Sequence, residues 1–157
     1  MTAIHTRFET LLEQHGGIVG KVVRIYARTA DDRRDLAQEI ATQLWRAFPR
    51  YDERLGKFST WMYRIALNVG ISHLRRVRTF EVFEDTVSAA APDDRLEALY
   101  ARIRALEGLD RALVLLYLED RSHAEIADVL GISEANVATK LSRLRTRLRE
   151  QLTGDAS

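Results

Sequence analysis

The sequence predicts an all-α protein of two small helical domains joined by a flexible linker, the second ending in a helix-turn-helix. Three observations predict it. Apolar residues recur at three- and four-residue spacing along most of the chain, and no run alternates Val, Ile and Thr as a half-buried strand would. Glycine and proline are few, eight and two in 157 residues, so helices can run long between breaks. One acidic stretch with a proline, residues 81–94, loses the periodicity and divides the chain into 1–80 and 95–157.

In the first domain, Ile4, Phe8, Leu11 and Leu12 share one face of a helix over residues 3–15. Gly16-Gly17 interrupts it, and Ile18, Val22, Ile25 and Tyr26 carry a second helix to about Arg28. A third starts near Asp31, where the charges of Asp31 and Asp32 suit a helix N-terminus, and stops before Pro49. Leu36, Ile40, Leu44 and Phe48 make its inward stripe. Asp35, Gln38, Glu39, Thr42 and Arg46 gather on the other side, with Trp45 at the border. An aromatic beside a polar cluster is how binding surfaces are composed, and it is equally the pattern of a solvated face with a half-buried Trp.

Residues 50–57 are a polar loop with a glycine. The helix that follows, from Phe58 to about Arg76, turns Phe58, Met62, Ile65 and Val69 inward with Trp61 at one flank. Arg64, Asn68 and Arg75 share an outward sector, and Arg76 and Arg78 extend its positive charge. Basic residues interleaved with aromatics and an amide can hold single-stranded nucleic acid by phosphate contact and stacking, although Trp61 suits the core better than a stacking platform.

The linker is acidic: Glu81 to Glu97 holds six acids against one Arg. Its 14 residues span at most about 50 Å when extended. Beyond it, Leu96, Leu99, Tyr100, Ile103 and Leu106 share a helical face until Gly108 breaks it. Asp110 then caps a short helix bearing Leu113, Leu116 and Tyr117.

The last stretch, Ser122 to Leu152, carries the most information. Ser122 with Glu125 three residues on fits a capping box. Gly131 offers the left-handed backbone that ends a helix, and Ser133 caps the next. In that final helix Val137, Leu141, Leu144, Leu148 and Leu152 form a buried stripe, while Asn136, Thr139, Lys140, Arg143 and Arg147 gather in a sector roughly opposite. Between Thr139 and Arg149 lie five basic residues and no acid. Such a face suits a major groove: Arg grips guanine edges, Asn reads adenine, Lys meets phosphate. Ala127, Gly131 and Val137 also match the spacing of a helix-turn-helix, with a small residue, a turn glycine and a β-branched packing residue.

Composition narrows the function. Net charge is only +1, but it is unevenly laid out, basic on the last helix and acidic in the linker. With no cysteine, disulfides, thiolate catalysis and Cys-based zinc sites are excluded. The four histidines fall on four separate segments, and neither a Glu-x-x-His pair, a Gly-rich phosphate loop nor a G-x-S-x-G turn is present. Neither catalysis nor a cofactor or metal is expected. The N-terminus lacks an apolar signal core, and the longest apolar run, Ala112 to Leu118, is far below the roughly 20 residues of a membrane span. A cytoplasmic protein is expected.

With these motifs in order, the chain resembles the sigma factors of RNA polymerase, of the small extracytoplasmic-function type with two conserved regions. DDRRDLAQEIATQLWRAF resembles the family's core-binding helix, KFSTWMYRIALNVGISHLRR its promoter-melting helix, and the terminal helix-turn-helix its upstream-element reader. The resemblance implies a docking face for core polymerase at Asp35, Gln38, Glu39 and Trp45. It implies contacts to the minus-ten element from Lys57, Arg64, Asn68, Arg75 and Arg76, with the 50–57 loop holding a flipped base, which costs a few kcal/mol to extrude. For the minus-thirty-five element it implies Ser133, Asn136, Thr139, Lys140, Arg143 and Arg147. Core polymerase, promoter DNA and an anti-sigma factor are the partners it implies. Gly108-Leu109 replaces a common Leu-Pro, Ser72-His73 an acid, and Ala138 a frequent basic residue. The rival reading is a stand-alone helix-turn-helix regulator with residues 1–80 as a sensor or dimerisation module.

Overall fold

A computed structural model describes residues 3–80 and 95–155, with side chains described to Val77 and from Arg95 to Glu150. The expected linker, 81–94, lies outside the described residues. Among those described, regular structure is helical throughout: α1 (Ala3–Gln14), α2 (Gly17–Tyr26), α3 (Ala30–Ala47), a one-turn 3-10 helix (Phe48–Arg50), α4 (Phe58–Phe80), α5 (Arg95–Arg104), α6 (Gly108–Leu118), α7 (His123–Leu130) and α8 (Glu134–Asp155). Packing groups the chain into two units, residues 1–108 and 109–157. α5 therefore falls in the first unit, whereas the sequence reading puts it at the start of the second domain.

The first unit is built on α2, α3 and α4. Thr29 caps α3: its backbone is extended and its hydroxyl accepts a hydrogen bond from the Asp32 amide at 3.1 Å. Asp31 and Asp32 thus lie in the first turn, next to the positive end of the helix dipole. Leu36, Ile40 and Leu44 are fully buried, as their spacing predicts, and Phe48 follows them into the interior from the 3-10 turn around Pro49. Phe8, Phe48, Tyr51, Phe58 and Trp61 form a linked aromatic cluster, with Phe8–Phe48 centroids at 4.9 Å and Trp61 5.1 Å from Tyr51 and 5.3 Å from Phe58.

α4 differs from expectation in its inward face. Ile65 and Val69 are only half-buried, and the interior is filled by Met62, Tyr63, Ala66, Leu67, Gly70 and Leu74. The reason is that α4 packs against both α2 and α3, so a wider arc is closed than one neighbour would close.

α5 packs on α2 with Tyr100 and Ile103 buried, while Leu96 and Leu99, expected on the same stripe, are 52% and 40% exposed. Charge fixes the contact. The Glu97 carboxylate accepts from Arg104 at 2.5 Å and from Arg24 at 2.9 Å, Arg104 also donates to the Arg24 carbonyl at 2.9 Å, and the Arg24 guanidinium lies 4.1 Å from the Tyr100 ring centre. The hydrogen bond from Arg104, then that from Arg24, hold the Glu97 carboxyl below the ordinary glutamate range. Because the folded-state pKa is depressed, the stabilisation is complete above the unfolded value of about 4.3 and is lost as pH falls through the folded value. Glu97→Gln is expected to cost about 1 kcal/mol at neutral pH, screened by solvent at this partly exposed site, and to lose that deficit in acid. Hydrogen exchange of the α5 amides at neutral and acid pH checks this. A variant whose α5 stays as protected as the parent's at neutral pH would remove Glu97 as the clasp.

The second unit holds α6, α7 and α8. α6 begins at Gly108 itself, so Gly108 opens the helix, and Asp110 sits in its first turn instead of capping it. Asp110 acts there through its charge. Residues 111–116 are buried, whereas Tyr117 is 39% exposed. The chain turns at Asp120, whose φ of 58° is in the left-handed region that Asp tolerates better than most side chains. Ser122 caps α7, its hydroxyl accepting from the Glu125 amide at 3.1 Å. Gly131 ends α7 at φ 69°, with Ile132 N donating to the Ala127 carbonyl at 3.2 Å. Val137, Leu141 and Leu144 are buried and Leu148 half-buried, as expected; the Leu152 side chain lies outside those described.

Candidate nucleic-acid interface

The first candidate surface lies on α3 and α4. Asp35 and Gln38 are exposed on α3 and Glu39 is half-buried. Trp45 is 40% exposed, its inner edge packed 4.9 Å from His5 and 5.2 Å from Phe8 by ring centres. On and just before α4, Lys57, Arg64, Asn68, Arg75 and Arg76 are all exposed. The structure joins two residues that sequence reading placed on different surfaces: Arg76 Nη2 reaches both oxygens of Glu39, at 2.8 and 2.9 Å. Sequence spacing carries no signal for this pair, because its members stand 37 residues apart on two helices.

Nearby, Nε2 of the buried His73 stands 3.0 Å from Asp32 Oδ1. That nitrogen makes no hydrogen bond of acceptable geometry, so the contact is one of proximity and not of alignment.

The loop before α4 is stiffened from within. Asp52 Oδ1 accepts from the Arg54 amide at 3.0 Å and from its Nε at 3.1 Å, and Oδ2 accepts from Nη2 at 3.0 Å. These bonds hold the Asp52 carboxyl below the usual carboxylate range and the Arg54 guanidinium above its own. Glu53 pairs with Arg7 of α1 at 3.2 Å. The turn leaves Leu55 87% exposed at its apex, a side chain that sequence reading passed over. Burial, followed by the charge of Glu53, raises the Tyr51 phenol.

The second surface lies on α8 and its cap residue Ser133. Ser133, Asn136, Thr139, Arg143 and Arg147 are exposed and Lys140 is half-buried. Two hydroxyls are engaged locally: Ser133 Oγ accepts from the Asn136 amide at 3.1 Å, and Thr139 Oγ1 donates to the Ala135 carbonyl at 3.0 Å. Arg147 stands 3.9 Å from Asp110, and Arg145 lies over the Tyr117 ring and donates to its hydroxyl. Arg143 is exposed, and among the described residues it has no ion-pair partner. Among the described residues no cluster of His, Cys, Asp and Glu could hold a metal ion, and no helix is long and apolar enough to cross a membrane.

Residues 11–80 match sigma-70 region 2, and residues 96–148 match sigma-70 region 4. The chain is 29% identical over 149 residues to the extracytoplasmic-function RNA polymerase sigma factor SigM of Mycobacterium tuberculosis, covering 90% of this chain and 74% of that one. The chain belongs to the extracytoplasmic-function sigma factors. This sigma factor is also 28% identical over 164 residues to SigE of Mycolicibacterium smegmatis, covering 96% of this chain and 63% of SigE. Its fold is that of CnrH, solved in complex with the cytosolic domain of CnrY, with a TM-score of 0.71 at 24% identity over 96% of this chain and 90% of that one. It is also that of RpoE from Bartonella quintana, solved with the anti-sigma factor NepR, with a TM-score of 0.73 at 19% identity over 92% and 95% of the two chains.

As a sigma factor the protein is a transcription initiation factor that binds core RNA polymerase and promoter DNA, and it is not an enzyme. The region 2 match covers the stretch that the rival reading gave to a sensor module.

Proposed function

We propose that the functional regions are 1–80 and 95–157, and that their exposed faces divide the work. Asp35, Gln38, Glu39 and Trp45 dock on core polymerase. Lys57, Arg64, Asn68, Arg75 and Arg76 hold the melted minus-ten element, with the stiffened 50–57 loop receiving a flipped base. Ser133, Asn136, Thr139, Lys140, Arg143 and Arg147 meet the minus-thirty-five duplex, with Arg143 as the base reader. Ser133 and Thr139 contribute mainly by ordering the start of α8. The protein works in the cytoplasm, and an anti-sigma factor holds it inactive, as NepR is bound to RpoE in the solved complex.

The observation that carries this reading is the exposure of basic residues on two separate helices, α4 and α8, in the order of the two matched regions. The test is transcription in vitro with purified core polymerase on a promoter library. Template-specific initiation on adding this chain is expected. Failure to initiate, together with tight binding of duplex by the chain alone, would overturn it. Within that assay Arg143→Ala is expected to weaken the preferred upstream element by about 1–3 kcal/mol and to relax specificity at one base pair. Uniform weakening across all sequences with a shallower salt dependence would instead place Arg143 on phosphate.

A further inference from the structure

The Glu39–Arg76 pair joins the two faces given above to polymerase docking and to DNA. From it we infer that Glu39 is a gate: in the free chain it holds Arg76 away from DNA, and polymerase docking on α3 releases it. The inference rests on the assignment of those two faces under the proposed function.

One guanidinium nitrogen of Arg76 stands within 3 Å of both carboxylate oxygens of Glu39. A backbone phosphate would compete for the same nitrogens, so Arg76 must leave Glu39 before it can neutralise DNA charge. The two side chains are unevenly exposed, 59% for Arg76 and 35% for Glu39. Solvent and DNA reach the arginine freely, while the carboxylate is held against the helices. The pair is thus strong enough to bias Arg76 and weak enough to open. A polymerase group that takes over the Glu39 carboxylate would free Arg76 without any movement of α4, which is a coupling between two ligands through one shared ion pair. Coupling of this kind is reciprocal: DNA that captures Arg76 makes Glu39 more available to polymerase.

The test is a double-mutant cycle read on a short fluorescent single-stranded oligothymidine, with the chain free and with saturating core polymerase. Glu39→Gln keeps the shape of the side chain and removes its charge. It is expected to tighten binding of the oligonucleotide by the free chain about two- to five-fold, the range of an exposed ion pair. In the Arg76→Ala background the same substitution is expected to change nothing. With core polymerase bound, the advantage of Glu39→Gln is expected to vanish, since docking has already done its work.

A gain that persists in the Arg76→Ala background would show a general charge effect and overturn the gate. No gain in either background would overturn it as well. A separate arm tests the reading beneath it: if Arg76→Ala alone leaves oligonucleotide binding by the polymerase complex unchanged, Arg76 is no DNA contact and the minus-ten assignment falls with the gate. If it weakens that binding while the cycle shows no coupling, only the gate falls. Thermal melting of each variant separates these effects from loss of fold.

Discussion

Leu116→Ala is expected to unfold the 109–157 unit selectively. Leu116 is fully buried in α6, and removing three carbons there costs about 2–5 kcal/mol, including the cavity left behind. A unit spanning Leu109–Ser157 has a total stability on the order of 2–7 kcal/mol at typical values per residue. The single substitution therefore removes a large share of it. The consequence reaches α8: once the unit opens, Val137, Leu141 and Leu144 leave their buried positions, and Arg143 loses its fixed direction. Urea titration followed by circular dichroism is expected to show an early transition that the parent lacks. Transcription from a promoter relying on its upstream element should fall with it. Leu116→Met, which keeps the volume, should cost under about 1.5 kcal/mol and retain both signals. A single unsplit transition that moves as a whole would show instead that the two units melt as one.

What the amino-acid sequence discloses of this fold depends on where the information sits. α3, α7 and α8 could be read from spacing because the buried side chains of each fall on one face of the helix, even where two neighbours meet it as α2 and α4 meet α3. A single face leaves a 3.6-residue period in the sequence, and Leu36, Ile40 and Leu44 are buried where that period puts them. The turn at Gly131 and the caps at Ser122 and Ser133 were also legible, since they are local events between residues a few positions apart. α4 was misread in part because two neighbours cover it, which spreads burial over Tyr63 and Leu67 and blurs the period. α5 departs from its stripe because only Tyr100 and Ile103 are buried, while Leu96 and Leu99 stay in solvent, a difference that apolar spacing alone does not carry. On the candidate surfaces, exposure was predictable from the polar sectors. Pairing was not, because Glu39 with Arg76 and Glu97 with Arg24 are brought together by tertiary packing alone.

Gly70→Ala isolates such an invisible constraint. By helix propensity alone the change should stabilise α4 by up to about 1 kcal/mol, since glycine is the poorer helix former. A Cβ at Gly70, however, would stand 2.5 Å from Cδ2 of Tyr26, 2.9 Å from Cγ and 3.0 Å from Cε2. The ring cannot easily yield. It is buried, and its hydroxyl donates to the Gly108 carbonyl at 2.6 Å, so both ends of the side chain are held. Forcing a carbon into a packed core costs about 1–3 kcal/mol, which outweighs the propensity gain. The expected result is a net destabilisation of about 1–2 kcal/mol with α2 and α4 pushed apart. Because Tyr26 is the obstacle, Tyr26→Leu should cost stability alone yet relieve the clash in combination, giving a double-mutant coupling of the compensating sign. Thermal melting of the four proteins measures that coupling. A Gly70→Ala variant as stable as the parent or more so would mean that the Tyr26 ring does not press on α4, and the account of this interface would have to be withdrawn.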